Sequence, residues 1–316
     1  MPKPLLRNDS NRDTKYWFKA TLQWRGSVVR SIATRVVLCG IFGLFISILY
    51  YWNFPVSWPI DSGVVPSIVL GLLLVFRTNT AYERFWEGRK VWGVLVNTVR
   101  NLARQLWGAI AENQPEDRTE KIETLRLLIA FAIAMKLHLR SEPLNNELKA
   151  LMRPDCYEKL KTMNHPPLEI AFWIADYLQH QHERHCLNTY QLTAMLKLLD
   201  TMVDVLGACE RILKTPIPPA YSIHLRQLLL IYCLALPFEI VNEFNWLTAP
   251  IVALISFTLL GIEEIGVEIE NPFGYDSNDL PLDAICTTME RNIEDLITLA
   301  PCVRRWNKTY INGRIH

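Results

Sequence analysis

The strongest constraint on this chain is a stretch that carries no charge. Residues 36–60 contain no Asp, Glu, Lys or Arg, and the first part, "VVLCGIFGLFISILYYW", is long enough to cross a bilayer as one helix with little tilt. Tyr50, Tyr51 and Trp52 close it, where an aromatic belt meets the lipid–water boundary. A second uncharged run, residues 62–76, follows a short link. Arg25, Arg30 and Arg35 precede the first run, and Arg77, Arg84, Arg89 and Lys90 follow the second. The link "NFPVSWPID" has no Lys or Arg. The positive-inside rule therefore predicts a hairpin that enters and leaves on the cytoplasmic side.

A second hairpin is expected near the end. Residues 227–238 are apolar, and residues 244–262 are uncharged. Their link, around "EIVNEFN", holds acids and no bases, while Lys214 and Arg226 lie on the inner flank. The first of these runs is short for a span, so the crossing is expected to start near Ile217 and to carry His224 and Arg226 at its inner end. Such residues face protein or water rather than lipid. The expected organisation is a cytosolic segment over 1–27, a membrane hairpin over 28–76, a helical cytosolic region over 77–215, a second hairpin over 216–262 and a cytosolic tail over 263–316.

The cytosolic region reads as helices. "TEKIETLRLLIAFAIAMKLHLR" has helical apolar spacing with an acidic start and a basic end, and its nine-residue uncharged core is too short to span, so it predicts a buried helix. "TYQLTAMLKLLDTMVDVLGACERILK" predicts a long amphipathic helix. "NDLPLDAICTTMERNIEDLI" predicts another, with Asn278 or Asp279 as N-cap. No strand alternation occurs, so the fold class is all-α.

Charge and cysteine usage narrow the function. The net charge of +1 points to no nucleic-acid partner. Seven scattered Cys without a CxxC predict reduced thiols. The polar, mixed-charge N-terminus has neither the apolar core of a secretory signal nor the composition of a transit peptide, so the chain is expected to work as written. "HQHERHC" puts His182, His185 and Cys186 at i, i+3 and i+4, a partial zinc pattern, but a solvated helix end without metal is the reading expected here. Glu263, Glu264, Glu268 and Glu270 are expected to pair with Arg84, Arg89 or Lys90, or to sit at an inner pore, and Asp200 and Asp204 to shape a vestibule. There is no GxSxG, HExxH, P-loop or Rossmann pattern, so no enzyme chemistry, metal or cofactor is expected.

The stretch "GLLLVFRTNTAYERFWEGRK" passes from apolar to charged without Pro or a turn signal. Residues 62–76 make about 22 Å of helix against a core of about 30 Å. Enclosure by other segments removes that mismatch, and a helix that lines a central axis and runs on into a cytosolic bundle has this pattern. Ile68, Leu72 and Phe76 form one stripe over an arc of about 80°. Copies around an axis would stack apolar rings that gate ions by dewetting. Any buried helix shows such a stripe as well.

"LLLVFRTNTAYERFWEGRKVWG", "TPIPPAYSIHLRQLLLIYCLALPF" and "GIEEIGVEIENPFGYDSNDLPLD" resemble, in order, the second-helix motif, third membrane region and tail of the bestrophin family, in its bacterial and plant-thylakoid branch. The resemblance runs from about residue 25 to residue 297. It implies an integral membrane homopentamer with four transmembrane helices per subunit, both termini cytoplasmic, in a bacterial inner or thylakoid membrane. It also implies passive transport of monovalent anions, chloride or bicarbonate, with cation selectivity as the alternative. Carried onto this chain, the hydrophobic neck falls at Ile68, Leu72 and Phe76, Val64 lines the outer mouth, and a cytosolic aperture falls at Leu192. Arg77 fits either an anion-favouring ring or a flank charge paired with Glu83 or Glu87. The family's calcium clasp needs an uninterrupted acidic run, and here only Asp276 and Asp279 of "YDSNDLPLD" remain, so calcium gating is not expected.

Overall fold

A computed structural model describes residues 26–58 and 64–312, with side chains described over 26–58 and 66–298. The expected segment 1–27 lies almost wholly outside them. Among the described residues the regular structure is helical throughout: α1 (Val29–Tyr51), α2 (Val64–Ala109), α3 (Pro115–Leu139), α4 (Asn146–Lys149), α5 (Pro154–Lys161), α6 (Pro166–Glu183), α7 (Thr189–Lys214), α8 (Pro219–Phe244), a 3-10 turn (Asn245–Leu247), α9 (Thr248–Glu268) and α10 (Leu282–Asn312). The chain divides into two compact units. One holds the residues up to Glu83 with Ile217–Glu270 and Tyr275–Asp279, and the other Arg84–Pro216, Asn271–Gly274 and Leu280 onward. Helix α2 contributes to both. Charge alone placed a boundary before Glu263, whereas packing keeps 263–270 with the apolar helices.

In the first unit α1 lies along α9. A Cβ on Gly40 would stand 3.3 Å from the Ala253 Cβ, and one on Gly43 3.2 Å from the Ala249 Cα, so both glycines let the backbones approach as small residues do between membrane helices. Ser47 Oγ lies 3.0 Å from the carbonyl oxygens of both Gly43 and Asn245. Asn245 turns the chain from α8 to α9 with φ 48°, a left-handed conformation that Asn tolerates better than most residues. Helix α1 and the stretch Pro219–Glu268 are long and apolar enough to cross a membrane. Val37, Leu38, Ile41 and Phe45 of α1 and Leu230, Ile231 and Leu254 of the second stretch stay exposed, as lipid-facing positions would.

The second unit encloses α3. Every residue of 128–137 is buried, as expected for the uncharged core of that segment. Trp92, Leu95, Val99, Leu102 and Leu106 of α2 join the same core as Ile170, Ile174 and Leu178 of α6 and Met195, Leu199 and Met202 of α7. Asp117 caps the start of α3 by accepting from the backbone N–H of Asn113 and Gln114, at 2.8 and 2.9 Å. Asn188 and Gln191 form the capping box of α7. The "NPFG" turn packs on α2, where a Cβ at Gly88 would meet Pro272 Cγ at 3.1 Å, and Arg140 donates to the carbonyls of Phe273 and Gly274. The last helix departs from expectation, since α10 begins at Leu282, three residues beyond Asp279. Asp279 Oδ2 instead accepts from the Asp276 N–H, closing a turn ahead of Pro281.

Candidate functional site

The first part of α2 has two unlike faces. Leu70 and Leu74 are buried against Leu225 and Leu229 of α8, and Tyr221 donates its hydroxyl to the Leu73 carbonyl at 2.7 Å. The same face continues with the buried Arg77 and Ala81, at the i, i+4, i+7, i+11 spacing of a packed helix. Elsewhere on the helix Ile68, Leu72 and Phe76 are 56%, 52% and 62% exposed. On a 3.6-residue helix Asn79 and Glu83 fall inside the same arc of about 80°, so the stripe turns polar after three apolar positions. Both are exposed, and Asn79 Nδ2 donates to Glu83 Oε1 at 3.0 Å. Val64 is the first residue of α2, and its side chain lies outside the described residues.

Charged residues meet where the apolar part of α2 ends. Arg77 is 2% exposed, and donates to Glu270 Oε2 at 2.7 Å and to Ser222 Oγ at 3.1 Å. Glu270 Oε1 also accepts the Ile217 N–H at 2.9 Å. Arg226 of α8 donates to the buried Glu263 of α9 at 2.8 Å, and Arg35 of α1 reaches Glu264 at 3.3 Å. Arg35 lies early in its helix, Arg226 early, and Glu263 and Glu264 late, so the pairs bring those ends of α1, α8 and α9 together. Buried charges persist where they are paired.

Several expectations are corrected by these contacts. Arg77 faces the interior of the first unit and its carboxylate partner is Glu270, so it neither joins the exposed stripe nor pairs with Glu83 or Glu87. Of the carboxylates at the end of α9 and just beyond it, Glu263 pairs with Arg226, Glu264 with Arg35 and Glu270 with Arg77. Arg84 donates to the carbonyls of Ile212 and Thr215 at the end of α7. Leu192 is 8% exposed and belongs to the core of the second unit, because its place in the first turn of α7 falls on the packed face of that amphipathic helix. Asp200 and Asp204 lie on the exposed face of α7.

The histidines fall differently from their sequence spacing. His182 Nδ1 lies 2.9 Å from the Leu187 carbonyl, His185 turns the chain with φ 58°, and Cys186 is buried beside Asn113. A group that no spacing announced lies elsewhere in the second unit, where His138 and His165 both approach one oxygen of Glu210, at 2.6 and 2.8 Å. Burial opposes the charge on Glu210, but the hydrogen bonds from His165 and His138 outweigh it and hold the carboxyl below its usual range.

Comparison with known proteins accounts for this architecture. Residues 9–295 match the family described as Bacterial/Fungal Bestrophin protein, and the chain belongs to the bestrophin family. A voltage-dependent anion channel-forming protein of Synechocystis sp. is 60% identical over 92% of this chain and 95% of its own length. One of Nostoc sp. is 61% identical over 92% and 94%. The Escherichia coli K12 protein of the same description, YneE, is 30% identical over 88% and 91%. A crystal structure of a bacterial bestrophin homologue from Klebsiella pneumoniae superposes with TM-score 0.78 at 29% identity, covering 84% of this chain and 98% of that one. This is a family of membrane ion channels, not of enzymes.

Proposed function

We propose that the chain is one subunit of a homopentameric channel for monovalent anions, chloride or bicarbonate. Each subunit crosses a bacterial inner or thylakoid membrane four times, with both termini cytoplasmic. The hydrophobic neck is built from Ile68, Leu72 and Phe76 around the central axis. One observation carries this reading. The side of α2 bearing Leu70 and Leu74 is packed, while these three apolar side chains on its other side are more than half exposed. Bare apolar rings around a narrow axis let ions pass only when wetted. The names of the relatives support anions as the cargo.

A second reading, cation selectivity, is favoured by Glu83. It shares the stripe with the neck residues, and a ring of carboxylates attracts cations. Purified protein in a planar bilayer under a tenfold chloride-salt gradient separates the two. A reversal potential near the chloride equilibrium value is expected. A value near the cation equilibrium establishes the second reading, and silence from intact oligomers in both gradient directions counts against both.

A further inference from the structure

The group at His138, His165 and Glu210 is outside the channel machinery described above, and its chemistry is that of a metal site. We infer that these three side chains bind a divalent transition-metal ion of the zinc type, joining α3, the start of α6 and α7. The three helices present one ligand atom each, and the atoms all lie within 4.8 Å of one another. His138 stands in the last turn of α3. His165 immediately precedes Pro166, whose ring disfavours the helical conformation there, and its φ is −135°. Glu210 lies in the last two turns of α7 and offers Oε1 to both imidazoles, while Lys214 stands 3.4 Å from Oε2.

Two imidazole nitrogens and one carboxylate oxygen form a borderline donor set. It suits zinc and its neighbours, and it lacks the six or more oxygens that calcium takes. A tetrahedral ion with bonds of about 2.0–2.1 Å needs ligand atoms about 3.3 Å apart. The side chains therefore open slightly from their 2.6 and 2.8 Å contacts to admit it. His138 also lines a cavity of about 520 Å³ with Ser141, Lys161, Met163 and Asn164. Through that opening a metal ion reaches the site and water supplies the fourth ligand. The three residues are half-buried, which leaves access without leaving the ion in bulk solvent.

The test uses full-length protein, with any tag removed and stripped of metal, titrated with Zn2+ against a chromophoric chelator. One tight ion per chain is expected, and His165→Gln and Glu210→Gln should each weaken it about tenfold or more. His182→Gln, outside the group, should leave affinity unchanged. Co2+ in place of Zn2+ should give the visible absorption of a tetrahedral site in the wild type and lose it in both variants. If either variant fails to assemble, His138→Gln takes its place and should weaken zinc binding in the same way. Equal zinc affinity in wild type, His165→Gln and Glu210→Gln overturns the inference, as does a wild type that binds no zinc, or a well-assembled His138→Gln that binds zinc as tightly as the wild type.

Discussion

Arg77 shows how far one side chain's role depends on what surrounds it. Taking a guanidinium out of water is costly, and its 2.7 Å contact with Glu270 and its bond to Ser222 offset that cost. Removing one partner of a buried pair costs about 3 kcal/mol. Arg77→Met is therefore expected to lower the thermal stability of the solubilised channel by about that amount and to leave the reversal potential where it was. A moved reversal potential at unchanged stability would return Arg77 to the pore. Asp117 is a second case. The N–H of Gln114 and then the Arg184 guanidinium hold its carboxyl below its usual value of 3.8. Lys136 and Arg140 do the same for Asp283. A depressed carboxylate stabilises the fold above its unfolded pKa and loses that contribution as pH falls through its folded one. Thermal midpoints should thus drop as pH falls below about 4, and Asp117→Asn should make the drop shallower.

Helix α2 carries the argument at the scale of elements. Its 46 residues have no Pro after the first turn, so the apolar and charged parts belong to one helix. Leu72 and Leu74 are two residues apart and play opposite parts. Leu74 is buried, and Leu74→Ala should cost about 2–5 kcal/mol of stability through the cavity it leaves. Leu72 is half exposed, and Leu72→Ala should change stability little while raising single-channel conductance or relaxing selectivity. Paired melting curves and single-channel currents check both. Equal stability losses for the two variants would make the Leu72 side a packing surface instead of a neck.

A single chain leaves much apolar surface uncovered, on the outer sides of α1 and α8 as well as on the α2 stripe. Contiguous apolar surface on that scale marks contact with lipid or with other chains. Native mass spectrometry from mild detergent should give a particle of five times the 36.6 kDa chain. Any other closed ring would change the neck diameter and the conductance expected from it.

Hydrophobic length and charge asymmetry made the helical membrane class legible from the sequence, because crossing a bilayer demands long uncharged helices and leaves bases at their inner ends. Periodicity likewise marked α7 residue for residue, and an uncharged run too short to span marked the buried core of α3, since both signals are local. Which of two faces of α2 is packed was not legible, because periodicity states that a stripe exists and not what covers it. Leu192 and Arg77 were misplaced for the same reason: the face each presents is settled by neighbours distant in the chain, α3 and α6 for one and Glu270 for the other. His138, His165 and Glu210 carry no spacing signal at all. Only the packing of three helices brings two imidazoles to one carboxylate oxygen, and no local rule of sequence encodes a meeting that tertiary contacts alone decide.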